Sequence, residues 1–254
     1  RLQEGINSMK FSPHSKSQDL WVTFENPKTG TKTHSLRGIN VALTEGEMFS
    51  VVGPSGSGKS TLLHTLAGFQ KPTRGSVALL GKNITTLSPS KIAHLHREGV
   101  GFIFQSYNLI ESLTALENVL LSARFGHSPL DKNRAAYILD SLGMGHRINH
   151  RVADLSGGEQ QRVAVARVIY NKPRIIFADE PTGALDSESS AAVIGTLKHL
   201  AHQGSSVFLV THDLEEAAKA DSCLILRDGI VQNHLVSPSQ DQLWNIMKQG
   251  LAHV

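Results

Sequence analysis

Val51-Val52-Gly53-Pro54-Ser55-Gly56-Ser57-Gly58-Lys59-Ser60-Thr61 fits the pattern G-x-x-x-x-G-K-[ST] and sets the reading of the whole chain. Met48 to Val52 reads as a buried strand, and Leu62, Leu63, Leu66 and Ala67 follow at helical spacing, so the glycines fall between a strand and a helix. Such a loop holds phosphate. Gly53, Gly56 and Gly58 admit backbone angles closed to other residues, which lets successive N–H groups point at an anion on the helix start. Lys59 would reach the β- and γ-phosphates and Ser60 would offer its hydroxyl to Mg²⁺; Pro54, Ser55, Ser57 and Thr61 complete the candidate nucleotide-binding loop. A plain Gly/Ser turn explains the composition but not the flanking strand and helix.

Outward from the loop, polar residues recur at the ends of apolar strands. Val100 to Phe104 predicts a strand ending at Gln105, and Arg174 to Ala178 predicts one ending in Asp179 and Glu180. Val207 to Val210 predicts a third, followed by Thr211 and His212. In open α/β sheets the ligand crevice lies outside the carboxyl ends of the strands, where all of these would gather. Neighbouring strand residues face opposite ways, so Asp179 suits the shell of Mg²⁺ while Glu180 orients or polarises the attacking water. Solvated turn acids, a strand-capping Gln and a structural His are the bland alternatives. Ser156 predicts an N-cap with Glu159 at the capping-box position, and Gly157 and Gly158 weaken that helix start unless something approaches its backbone closely. Asp186 predicts the N-cap of a further helix running to about His199.

The remaining chain frames these motifs. Leu20, Val22 and Phe24 alternate as an edge strand, Ile39, Val41 and Leu43 as its neighbour, and Leu113 to about Gly145 reads as helix. Residues 1–19 are expected to be a flexible segment, 20–236 a single domain with a helical insert at about 108–165, and 237–254 a short helical tail. The 254 residues are 40% apolar, enough for a core, but no apolar run approaches the roughly 20 residues that span a bilayer, so the chain is expected to be soluble by itself. A net charge of +3, spread along the sequence, gives nucleic-acid binding no support. The lone Cys223 excludes an intrachain disulfide and reads as a core residue. His94 with His96, and His146 with His150, lack companions at ligand spacing and read as surface or capping residues.

Taken together, these motifs resemble the ATP-binding cassette ATPases that power ABC transporters, over about Leu20 to His234. Gly53 to Thr61 is similar to the Walker A loop, Gln105 to the Q-loop, Leu155 to Arg162 to the signature motif, and Ile175 to Glu180 to Walker B with its catalytic glutamate. Ala184 to Asp186 resembles the D-loop and His212 the switch histidine. The resemblance implies an α/β fold: a P-loop, RecA-like core with an antiparallel β layer and a helical subdomain. It implies ATP and Mg²⁺ as ligands, with Ser60, Gln105 and Asp179 at the metal and Glu180, His212 and Gln105 in catalysis. Two copies would stack head to tail, Ser156, Gly157, Gly158 and Asp186 of one completing the nucleotide site of the other. An integral membrane permease would dock near Tyr107, Leu109 and Ile110 and hold the subunit at the cytoplasmic face of the membrane. Gly101 to Val119, with Glu159 to Arg162 and Ala178 to Asp186, is similar to the subgroup of macrolide-efflux, lipoprotein-releasing and haem-efflux ATPases. Relatives commonly stack a Tyr on adenine; Phe24 offers a ring here, set slightly further from the next strand. A cassette that regulates a cell-wall hydrolase through a membrane partner would carry the same motifs.

Overall fold

The structure, a computed structural model, describes residues 13–125, 130–183 and 185–249. Its strands and helices, in chain order, are Ser15–Glu25 (β1), Lys32–Leu43 (β2), Met48–Val52 (β3), Lys59–Leu66 (α1), Arg74–Leu79 (β4), Lys82–Asn83 (β5), Pro89–Gly99 (α2) and Val100–Phe104 (β6). Ala115–Phe125 (α3), Lys132–Ser141 (α4) and Gly157–Tyr170 (α5) follow. The chain continues through Ile175–Asp179 (β7), Ser187–His202 (α6), Ser206–Val210 (β8), Leu214–Ala218 (α7), Ser222–Arg227 (β9), Ile230–Val236 (β10) and Gln240–Gln249 (α8).

Two sheets result. The antiparallel one has the order β2-β1-β4-β5, and the larger has the order β10-β9-β3-β8-β7-β6, parallel except for β10 at its edge. Alternation sorts the larger sheet into two cores. Phe49, Val51, Ile175, Phe177, Phe208 and Val210 face α1, which also packs on Leu20, Val22 and Leu36 of the antiparallel layer. Met48, Ile176, Ala178, Val207 and Leu209 face Val193, Ile194 and Leu197 of α6. A third core joins α3, α4 and α5 through Val119, Leu120, Leu139 and Val163. This is the expected α/β core with its antiparallel layer and helical subdomain.

Two boundaries differ from the sequence expectation. The first strand begins at Ser15 and lies inside its sheet, because β4 pairs along the side that would make it an edge. Ser15 and Ser17 are buried there, and the Ser17 hydroxyl donates to Ile39 O and accepts from Val41 N, so polar residues that read as a loose terminus close the sheet. Residues 1–12 and 250–254 lie outside the described residues. The helical part runs past 165 to Tyr170, since α5 turns Val163, Ala166 and Tyr170 to the helical core while Val165 and Val168 pack on the sheet. The C-terminal helix is docked: Leu243 is fully buried with Val52, Cys223 and Ile225. Burial also pushes the Cys223 thiol up to about 11, which makes it an inert core residue. Among the described residues no helix is long and apolar enough to cross a membrane.

Phe177 is fully buried at the centre of a row of rings, 5.8 Å from Phe102 and 6.0 Å from Phe208 between centroids. Phe177→Ala is expected to lower stability by about 3–5 kcal/mol, read from the shift in a denaturant unfolding curve.

Candidate active site

Gly53, the first residue after β3, has φ 157, and a Cβ there would fall 2.0 Å from Leu226 O. Gly58 caps α1 in the left-handed region at φ 102, where a Cβ would meet Ser35 O at 2.5 Å. Only glycine fits both places. The loop between them leads into the first turn of α1, whose amides have no carbonyl of their own helix to bind. Lys59 Nζ arches back over the loop and donates to Gly53 O at 2.9 Å and Pro54 O at 3.1 Å. Burial lowers its pKa, while the nearby Glu180 and Asp179 pull it up. Ser57 Oγ is buried without a hydrogen-bond partner beneath the loop. Free amides, an ammonium and an orphaned hydroxyl converging on one loop fit a phosphate group.

At the adjoining strand ends, Ser60 Oγ donates to Asp179 Oδ1 at 3.2 Å, which joins the loop helix to β7. Burial raises the Asp179 pKa, opposed by the Ser60 hydrogen bond. A hydroxyl and a carboxylate oxygen side by side suit a hard cation, and Mg²⁺ bound mainly through substrate phosphates needs only one or two such protein ligands. Beside Asp179, Glu180 sits in the left-handed region at φ 48, with its N–H tied to Val210 O at 2.9 Å. That backbone turn aims its carboxylate at the end of β8, where Glu180 Oε2 meets His212 Nδ1 at 2.6 Å. Gln105 stands exposed at the end of β6. Its amide lies over Gly183, where a Cβ would come within 2.8 Å of Nε2, and among the described residues no hydrogen bond joins it to Ser60 or Asp179.

Other candidates fall away from this cluster. Ser156 and Glu159 form the expected capping box, at 2.8 and 3.3 Å, and Arg147 holds the Glu159 carboxylate at 3.1 Å. Those hydrogen bonds and the Arg147 charge lower the Glu159 pKa. Ser156 and Gly157 are exposed, and no hydrogen bond links them to the glycine loop. Asp186 caps α6 by accepting from Ser189 N at 2.8 Å; Ala184 lies outside the described residues. Phe24 is half-exposed opposite Thr33 on the β1–β2 hairpin. Tyr107 and Asn108 both have positive φ, and their carbonyls accept from Arg167 at 3.1 and 2.6 Å. Leu109 packs against the helical core whereas Ile110 is exposed. His94 pairs with Glu98 at 3.0 Å and His96 binds Ala67 O at 2.6 Å.

The sequence pattern of the ABC transporter family matches residues 36–183, more than half the chain and all of the loop, signature helix and strand-end acids. The chain belongs to the ABC transporter family. It is 44% identical over 216 residues to an ABC transporter ATP-binding protein of Methanocaldococcus jannaschii, covering 84% of this chain and 96% of that one. It is 43% identical over 203 residues to the macrolide export ATP-binding/permease protein MacB of Bdellovibrio bacteriovorus. That match covers 80% of this chain and 31% of MacB, so the ABC ATPase spans about a third of that relative's length. A solved structure of the ATP-binding cassette MJ0796, a dimer in a post-hydrolysis state bound to ADP and Pi, superposes with a TM-score of 0.81 at 36% identity, covering 89% of this chain and 99% of that one. In class the protein is therefore an ATP-binding ATPase domain.

Several residues that build the site gave no sequence signal. Ser35 Oγ donates to Thr61 Oγ1 at 2.9 Å, pinning the start of α1 to the antiparallel layer, and nothing in its own segment marks it. Thr182, Thr211 and Glu216 form a buried set just behind the catalytic candidates, and their burial is visible only in the fold. Lys59→Ala removes the ammonium arched over the loop, and ATP affinity is expected to fall at least about 100-fold in equilibrium binding while the melting temperature of the nucleotide-free protein moves little.

Proposed function

We propose that this ABC ATPase hydrolyses ATP to power a membrane exporter, working as two copies stacked head to tail. The observation that carries the reading is a division of the site. Loop, Ser60, Asp179, Glu180 and His212 assemble within one copy, whereas Ser156 and Gly157 at the start of α5 are exposed and, among the described residues, make no hydrogen bond to that loop. A second copy supplies the missing half: the start of α5 meets the γ-phosphate, Gly157 and Gly158 allow close approach, and Asp186 lines the same interface. Phe24 stacks on adenine. The MJ0796 cassette, a dimer with ADP and Pi, supports the assembly, and the MacB likeness supports export.

Within this arrangement the first-turn amides, Lys59, Ser60 and Thr61 hold the triphosphate. Glu180 accepts the proton of the attacking water as its oxygen bonds the γ-phosphorus and the bond to the β–γ bridging oxygen breaks. His212 holds the Glu180 carboxylate through Nδ1 and senses the γ-phosphate with its other nitrogen. Ser60, Asp179 and Gln105 would hold Mg²⁺, which would supply charge neutralisation at the phosphates. The permease docks at the segment after Gln105. Leu109 is engaged in packing and Ile110 is exposed, which supports Ile110 as the residue that meets the permease. The subunit is then a peripheral one at the cytoplasmic face of the membrane.

Glu180→Gln is expected to keep ATP binding and reduce turnover by about 100-fold or more, and to accumulate an ATP-dependent dimer in light scattering that ADP does not produce. Adding Ser156→Arg should abolish that dimer and leave monomer ATP binding intact; an ATP-dependent dimer in the doubly substituted protein would remove the head-to-tail arrangement. Ile110→Glu is expected to weaken co-purification with the permease and transport while circular dichroism stays unchanged, and normal transport would place the docking surface elsewhere.

A further inference from the structure

Asp213-Leu214-Glu215-Glu216 reads as a helix start whose fourth residue turns back to the N-cap amide. The structure does something else. Asp213 N donates to Thr211 Oγ1 at 3.1 Å, and the Asp213 carboxylate alone caps α7, accepting from Glu215 N at 2.7 Å and Glu216 N at 3.1 Å. Glu216 is thereby released to point inward. It is 6% exposed, accepts from Thr211 Oγ1 at 2.9 Å and lines one cleft with the buried Thr182. Lys219, the cation on the same helix, pairs with Glu215 instead. Burial pushes the Glu216 carboxyl above its usual range and the two hydroxyls pull it back, so the group is an acid kept inside by neutral donors. A buried carboxylate satisfied in this way is a costly means of capping a helix that Asp213 already caps.

The two threonines lie on different loops. Thr182 follows Glu180 by two residues and is 7% exposed, and Thr211 precedes His212 by one and is 1% exposed. The ladder between β7 and β8 ends at the Glu180 N–Val210 O bond. Beyond it, among the described residues, the His212–Glu180 contact joins the loops, and Glu216, bonded to Thr211, is buried with Thr182 in the cleft between them. Thr182, Thr211, His212 and Glu216 also line one cleft of about 360 Å³ between the starts of α6 and α7.

We propose that Glu216 is a positioning residue for ATP hydrolysis, its carboxylate clamping the Thr182 and Thr211 loops together so that Glu180 Oε2 and His212 Nδ1 are held in contact. The proposal rests on the reading of Glu180 and His212 as the working pair. Glu216 touches neither ATP nor water; it sets how often the pair is in register.

The test is Mg-ATP hydrolysis and equilibrium ATP binding by the full chain carrying Glu216→Ala, His212→Ala, or both. Glu216→Ala is expected to lower kcat about tenfold or more with KM for ATP within about twofold of the parent, and the double variant to be no slower than His212→Ala. Glu216→Gln, which keeps the carbonyl acceptor and the volume, should recover most of the turnover. A normal kcat in Glu216→Ala overturns the proposal, as do losses that multiply in the double variant, because independent effects would mean general destabilisation. Should Glu216→Ala fail to fold, Thr182→Val and Thr211→Val each delete one hydroxyl and decide the matter: reduced kcat at steady KM supports the clamp, and normal kcat in both removes it. Wild-type turnover in His212→Ala would instead bring down the catalytic pair, an outcome separate from a slow His212→Ala beside a normal Glu216→Ala, which removes only the role of Glu216.

Discussion

Close approach of backbone to backbone around the glycine loop ties the two sheets of this protein to one point. Ser35 O, on β2, lies 2.5 Å from where a Cβ would stand on Gly58 and equally 2.5 Å from where one would stand on Gly229. Gly229, in the β9–β10 turn, donates to Ser57 O at 3.0 Å and accepts from Arg37 N at 2.8 Å. The phosphate-binding loop is thus wedged between a strand of the antiparallel layer and a hairpin of the other sheet. Its shape is imposed from outside as well as by its own glycines. The burial of Leu62, Leu63 and Leu66 between the same two layers fixes the direction in which α1 presents its free amides.

Much of this was legible because it rests on local rules. The strand–loop–helix unit, the Ser156 capping box and the Asp186 cap each follow from a few adjacent residues, and the structure forms all of them. What escaped depends on partners far away in sequence. Ser15 and Ser17 looked like a loose terminus because the bonds that bury Ser17 come from Ile39 and Val41. Glu216 looked like a routine helix-start acid because Thr182 is remote in the chain. Leu109 and Ile110 carry the same apolar signal and differ only in which way a loop with two left-handed residues throws them.

The acids at the end of β7 show how one strand serves two chemistries. Asp179 keeps extended geometry and faces the loop helix, where burial lifts its pKa and the Ser60 hydroxyl answers it. One residue later the backbone crosses into the left-handed region, a conformation that costs a non-glycine residue on the order of 1–3 kcal/mol. The surrounding ladder sustains that strain through Val210 O. The result is two carboxylates, adjacent in sequence, that answer to different partners.

The helix α5 is gripped at two places along its length and exposed at its start. Its first turn carries the exposed Ser156 and Gly157, Gln161 in the next turn donates to Pro181 O beside Glu180, and Arg167 near its far end holds the carbonyls of Tyr107 and Asn108. At 1.5 Å of rise per residue, Ser156 and Arg167 are about 16 Å apart along a stiff rod. A push on the glycine-bearing tip would therefore tilt a lever whose fulcrum lies beside the strand carrying Asp179 and whose opposite arm holds the loop that follows Gln105.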